Sequence, residues 1–201
     1  MAPQRVVPDD FAVLKTDVGT AAQRLLGCVL EREIDGQTVR VRIVETEAYD
    51  QTDAASHSYN GRTPRVETMF GPAAHTYIYF TYGMHYCCNI VVGEAGYGAG
   101  ALIRAVEPLD GHEKLAERRG GKTGIEVTNG PAKLCQALGI DLRMNGHDLK
   151  RSPLRLRMQP ALSQNKITRT TRIGISKAKD VRWRFYITDN PFVSVKERVV
   201  K

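Results

Sequence analysis

Two carboxylates close an apolar run in Arg42-Ile-Val-Glu-Thr-Glu-Ala-Tyr49. Read with the period of a strand, Val39, Val41, Ile43, Glu45 and Glu47 share one face, and Arg40, Arg42, Val44 and Thr46 the other. Same-face carboxylates two residues apart stand at roughly 6.6 Å, a spacing at which one can position water while the other tunes it. A partly desolvated carboxylate is a candidate general base. The plainer expectation is a strand that emerges at a rim, where both acids meet solvent. The same pair could also serve an O-glycoside hydrolase, whose two carboxyl groups stand roughly 5.5 or 6.5 to 9.5 Å apart. His57, His75 and His85 show no H-E-x-x-H or comparable ligand spacing with the carboxylates, so no metal is expected.

A second group of residues could handle a flat or charged ligand. Residues 50 to 74 are irregular and hold His57, Tyr59, Arg62 and Arg65 among several Pro and Gly, which favours an ordered binding loop. His75 to Tyr82 then reads as a strand with Tyr77, Tyr79 and Thr81 on one face, and Tyr86 to Val92 as its antiparallel partner. The tip between them, Tyr82-Gly83-Met84-His85, carries large side chains where turns ordinarily carry small polar ones. Such a tip either folds back onto the core or serves as a wedge for a partner.

The elements that must position these residues follow from local patterns. Residues 1 to 16 lack a period and read as an N-terminal arm, and residues 17 to 201 as one domain. From Asp17, the spacing of Val18, Ala21, Ala22, Leu25 and Leu26 predicts a helix stopped by Gly27. Cys28 to Ile34 and Gln37 to Ala48 read as strands joined at Asp35-Gly36. Ala101 to Glu107 is a further strand, and Pro108 to Arg119 a helix with Leu109 and Leu115 inside. Pro131 to Leu138 is a helix with proline at its first position and Gly139 at its stop, burying Leu134, Cys135 and Leu138. Leu154 to Met158, Thr171 to Ile175 and Trp183 to Ile187 close a mixed sheet.

Composition bounds the reading. A chain of 201 residues, 42% hydrophobic and 25% charged, fills one core. No apolar run is long enough to span a bilayer and the first residues lack a secretory h-region, so a cytoplasmic protein is expected. Cys28, Cys87, Cys88 and Cys135 form neither C-x-x-C nor a disulfide framework, which fits free thiols in a reducing compartment. The net charge of +7 is uneven: residues 142 to 201 hold 15 basic and 4 acidic residues, against 14 and 18 in the remainder. That C-terminal third, with Lys133 near a helix start, is the expected polyanion-facing surface.

The segments Arg42 to Tyr49, Ala55-Ser-His-Ser58, Gly61-Arg-Thr-Pro-Arg65, Met69-Phe-Gly-Pro72, Tyr77 to Met84, Leu102 to Leu109 and Asn129 to Leu138 together resemble the alkyladenine (3-methyladenine) DNA glycosylase family. These are the mammalian-type enzymes that also have bacterial members. The resemblance covers roughly residues 17 to 195. It implies a single compact α+β domain with a curved, largely antiparallel sheet, surrounding helices and a protruding hairpin. It further implies a monofunctional, cofactor-free enzyme of base excision repair that acts on duplex DNA holding damaged purines, and a monomer is expected. By resemblance, Glu47 is the base that activates water and Arg104 helps hold that water. Tyr49, His57 and Tyr79 wall the base pocket, and Asn89 disfavours normal guanine. Tyr82, with Met84 beside it, enters the DNA where the nucleotide has left. No role comes to Glu45 this way. Val66-Glu67-Thr68 and Cys88 depart from the family's usual residues, which bears on substrate range. A non-catalytic DNA-lesion binder would keep the aromatic pocket and the basic face without needing Glu47.

Overall fold

In the computed structural model, which describes residues 11 to 195, Asp17 caps helix α1 (Val18–Arg24) by accepting the Thr20 amide hydrogen bond at 2.9 Å. Residues 1 to 10 of the expected arm lie outside the described residues. Phe11–Lys15 instead form a short 3-10 helix whose Phe11 and Leu14 are buried in the core. Strands β1 (Val29–Ile34) and β2 (Gln37–Tyr49) are joined at Asp35 and Gly36, with φ of 49° and 77°. Two consecutive left-handed residues match the twist of the flanking strands, which is why Asp-Gly works there.

The remaining strands are β3 (Thr76–Thr81), β4 (His85–Val91), β5 (Gly100–Pro108), β6 (Leu154–Arg157), β7 (Ile167–Thr170) and β8 (Arg184–Ile187). They form one curled antiparallel sheet in the order β3-β4-β5-β2-β1-β6, with β8 on the far half of β2 and β7 on β8. Helix α2 (His112–Arg118) starts only after Gly111, so Leu109 is exposed rather than inside, while Leu115 is buried. Helix α3 (Pro131–Leu138) begins and ends as its Pro131 and Gly139 predict, and it buries Leu134, Cys135 and Leu138. Thr171 to Ile175 is not a strand. The ladder instead uses Ile167–Thr170, and the β-branched stretch after it runs as a loop.

Alternation divides the sheet into two faces. On the helix side, Ile78, Cys88, Ile90, Ala101 and Ile103 join α1 and α3 in the main core. On the opposite side, Tyr77, Tyr79, Cys87, Asn89, Leu102 and Arg104 line a cavity. In β2 the simple alternation fails. Ile43 pairs with Val106, Glu45 with Ala105 and Thr46 with Ile103, so Val44 and then Arg104 are left without partners in the register. These paired irregularities reverse the parity of both strands. Val39, Val41 and Ile43 lie in the main core, and beyond the bulge it is Thr46 and Ala48 that face the helices. The Thr46 hydroxyl donates to Ala22 O of α1 at 2.9 Å. Glu45 and Glu47 therefore leave the face of Val39, Val41 and Ile43, contrary to the uninterrupted period-two expectation. Nor do they meet solvent at a rim, since both are fully buried.

Candidate active site

Glu47 sits behind a cavity of about 540 Å³ whose lining includes Tyr49, His57, Tyr77, Tyr79, Tyr82, Asn89 and Arg104. Three groups converge on its carboxylate. The Tyr49 hydroxyl donates to Oε2 at 2.8 Å, Arg104 Nη1 lies 3.2 Å from the same oxygen, and the Ile173 amide donates to Oε1 at 2.7 Å. Each of these three residues also lines the cavity, so the carboxylate is presented by residues a ligand would touch. Burial works against the Arg104 charge, but Glu47 and Glu45 outweigh it and hold the guanidinium cationic. Burial, then the charge of Glu47, pushes Tyr49 far above the usual phenol range, so it remains a donor.

Glu45 has a different surrounding. Its Oε1 accepts from Arg104 Nε at 3.1 Å, Arg184 Nε at 2.7 Å and the Ser194 hydroxyl at 2.9 Å. Its Oε2 accepts from the Ser194 amide at 2.6 Å. Neither carboxylate is itself a lining residue; the two differ in that Tyr49 and Ile173 join Glu47 to the cavity lining, whereas Arg184 and Ser194 beside Glu45 lie outside it. A pair of free acids flanking one substrate bond, as O-glycoside hydrolysis requires, is therefore not what these two residues form.

The aromatic walls come from three segments, the first being the end of β2 with Tyr49. Strand β3 supplies Tyr77 and Tyr79, with ring centroids 5.8 Å apart. The loop of residues 50 to 58 supplies His57, whose ring meets Tyr79 edge-on at 4.6 Å and whose Nδ1 lies 3.0 Å from the Tyr77 hydroxyl. That loop is ordered, as its residue types predict. Ser58 donates to Gly98 O at 2.6 Å, Gln51 accepts from the Gly98 amide at 2.8 Å, and Tyr97 donates to Asp50 at 2.7 Å. A Cβ on residue 98 would lie 2.7 Å from both Ser58 Cβ and the Phe70 ring, so only glycine permits this closure. Partial desolvation, then repulsion from Arg65, lowers the His57 pKa and keeps the imidazole neutral at neutral pH. Burial pushes Tyr77 up to about 12. Asn89 is fixed beside these rings, its Nδ2 donating to Tyr77 O at 3.0 Å.

At the cavity mouth, Tyr82 is 83% exposed with φ of 52°. Holding a non-glycine residue in the left-handed region costs on the order of 1 to 3 kcal/mol, and such strain concentrates at functional sites. The tip does not fold back onto the core. Met84 is also exposed, but it lines a neighbouring groove with His85, Tyr86 and Lys133 rather than the cavity. Val66 packs with Met69, Phe70 and Tyr77 behind the wall, and Cys88 points into the main core while Cys87 lines the cavity.

Several site residues escaped the sequence reading. The stretch Ile173-Gly-Ile-Ser-Lys177 forms a cavity wall, Arg184 and Ser194 hold Glu45, and Arg172 is a buried cation beside Tyr49. Only the unusual Gly174 within a β-branched run marked that wall. The basic C-terminal third is also less open than its count implies. Arg155 and Arg157 pair with Glu31 and Arg155 also with Glu33, across β6 and β1. Arg172 pairs with Asp53, and Arg184 with Glu45. These four arginines thus neutralise acids from the first part of the chain, while Lys177 is exposed at the cavity rim and other basic side chains of the C-terminal third remain exposed beyond it. All four cysteines are free and buried. Among the described residues, no group of three or more His, Cys, Asp or Glu could hold a metal ion, and no helix is long and apolar enough to cross a membrane.

The family model described as methylpurine-DNA glycosylase matches residues 12 to 191. A protein of Carboxydothermus hydrogenoformans with the provisional name 3-methyladenine DNA glycosylase is 49% identical over 181 residues, spanning 90% of this chain and 95% of its own. Proteins with the same provisional name from Francisella tularensis and Methanoculleus marisnigri are 47% and 44% identical, covering 92% and 91% of this chain and 97% and 96% of theirs.

Proposed function

The chain belongs to the methylpurine-DNA glycosylase family, DNA glycosylases that hydrolyse N-glycosyl bonds, and from that premise we propose that it flips alkylated purines out of duplex DNA and uses a Glu47-activated water to hydrolyse the N-glycosidic bond that joins them to the sugar. The substrates are 3-methyladenine and 7-methylguanine; a neutral base such as hypoxanthine or ethenoadenine would in addition need a proton donated to it as it leaves. The observation that carries this reading is a carboxylate with three donors, placed directly behind an aromatic cavity.

A base within a duplex is out of reach, so it must be extruded, and an inserted side chain stabilises the gap. Tyr82 takes that part. Met84, on the groove side of the same tip, contacts the DNA beside it. Alkylation at N3 or N7 leaves the purine cationic, and each aromatic face of Tyr49, His57 and Tyr79 attracts it by about 0.5 to 2 kcal/mol. A neutral His57 suits this task, because an imidazolium would repel the base. Asn89 discriminates against unmodified guanine. The cationic base is already a good leaving group, so the protein supplies chiefly an oriented water and negative charge near an oxocarbenium-like sugar. Glu47 accepts the water proton, and Arg104 orients the carboxylate and water. The protein acts as a monomer on DNA in the cytoplasm, without a cofactor. Lys177 at the rim and exposed basic residues beyond it face the phosphates, so affinity for duplex DNA falls steeply with salt as counterions are released.

The test is base release from duplex oligonucleotides carrying one lesion each, in the presence of EDTA. Release of methylated purines, leaving an abasic site with no protein trapped by borohydride, is expected. Tight lesion binding without any release would replace the enzyme by a lesion-binding protein.

A further inference from the structure

We propose that Arg172, paired with Asp53, is a positioning residue for Glu47, an inference that rests on the reading of Glu47 as the general base. The Arg172 side chain has no solvent exposure and ties its own loop to the end of β2 and the turn just after it, more than a hundred residues earlier in the chain. Its Nη1 donates to Ala48 O at the end of β2 at 2.8 Å and also to Asp53 Oδ2. Its Nη2 donates to Asp53 Oδ1 at 3.1 Å and to Ala178 O at 3.4 Å. The guanidinium centre stands 4.8 Å from the Tyr49 ring and 5.5 Å from that of Trp183.

Each contact bears on a partner of Glu47. The residue after Arg172 is Ile173, whose amide donates to Glu47 Oε1. With the arginine anchored on Ala48 O and Ala178 O, that amide is held at both ends of its loop. Tyr49, under the guanidinium, donates to Glu47 Oε2. Two of the three donors on the carboxylate are thus set by Arg172, and the third, Arg104, is set from the other side by Glu45. Asp53 extends the same unit into the His57 wall, accepting from the Ala55 amide at 3.0 Å while its own carbonyl accepts from the Ser56 amide at 2.8 Å.

A role in stability alone accounts poorly for this arrangement. A buried ion pair is often no better than apolar residues of equal volume. Among the described residues, Arg172 Nε is also the one buried side-chain polar atom without a hydrogen-bond partner. What the planar fork supplies, and a lysine point charge cannot, is fixed geometry among several acceptors.

The experiment is a double-mutant cycle between Arg172→Lys and Glu47→Gln, read by single-turnover base release from a duplex with one methylated purine. Duplex affinity and thermal melting are measured alongside, and Leu154→Ala on the distant β6 strand serves as a control for lost stability. Arg172→Lys is expected to slow release about 10-fold to 100-fold per folded molecule, with affinity nearly unchanged, as small displacements of a reacting group do. In the Glu47→Gln background it should slow release no further. A normal rate for Arg172→Lys, or an equal loss in both backgrounds, overturns the inference. If Arg172→Lys does not fold, Asp53→Asn enters the same cycle with the same criteria. Near-normal release by Glu47→Gln itself would instead overturn the general-base reading, so the two failures are distinguishable.

Discussion

Glu45 and Glu47 stand two residues apart on β2, are both shut off from solvent and share Arg104, yet their remaining partners divide them. Glu45 is surrounded by Arg184 and both donors of Ser194, away from the cavity. Glu47 is held by Tyr49 and the Ile173 amide, residues that line the cavity. Chemical type and strand spacing are the same for both. The difference lies in what the rest of the chain brings to each: Arg184 and Ser194, outside the cavity lining, for Glu45, and Tyr49 and Ile173, which line it, for Glu47.

The largest expected effect on stability comes from breaking the contacts of Glu45. Glu45→Gln leaves Arg184 buried without its counter-charge and Arg104 with Glu47 alone, and the loss of one partner from a buried pair costs about 3 to 5 kcal/mol. Chemical denaturation checks this, while the folded fraction should retain most of its release rate. If excision per folded molecule collapsed with no change in stability, the two carboxylates would have to exchange roles. Tyr82→Ala sharpens the comparison from the DNA side. An exposed tip residue changes stability by no more than about 0.5 kcal/mol, whereas removing a stacking wedge weakens binding to a lesion duplex roughly tenfold. Fluorescence anisotropy and melting together separate these outcomes. A loss of several kcal/mol in stability would make Tyr82 structural.

The smallest effect concerns His57, which partial desolvation and then Arg65 hold below its ordinary value of 6.5. The unfolded chain binds a proton that the folded chain refuses. Stability is therefore whole above about pH 6.5 and is lost as pH falls from there through the folded value. His57→Gln should flatten the decline of melting temperature in that window. An unchanged slope would assign the decline to other groups.

Much of the scaffold could be read locally, because its signals are local. Asp35-Gly36 marks a turn that needs two positive φ values, and Pro131 and Gly139 bracket α3 by their own backbone preferences. Tyr49, His57, Tyr79, Asn89, Arg104 and Tyr82, named by resemblance, do gather around one cavity. The reversal at Val44 could not be read, because it arises from pairing with β5 about sixty residues later, as the Ile43–Val106 and Glu45–Ala105 partners show. Thr171 to Ile175 has the β-branched content of a strand, but its Ile173 amide is taken by a side chain, and no ladder forms there. By composition Arg172 and Arg184 belong to the basic surface, since nothing in the sequence around them shows that Asp53 and Glu45 will meet them in the interior. Contacts across more than a hundred residues leave no trace in local periodicity.

In the proposed reaction Glu47, and not Glu45, takes the proton from water. The most direct measurement is single-turnover base release by Glu47→Gln under conditions where the lesion duplex is fully bound. The amide keeps the size of the side chain and an oxygen for its donors, but it cannot accept the proton. Retained binding is expected, with a rate lower by about 100-fold to 10,000-fold, the contribution of a general base. Base release near the wild-type rate by Glu47→Gln would contradict this role of Glu47.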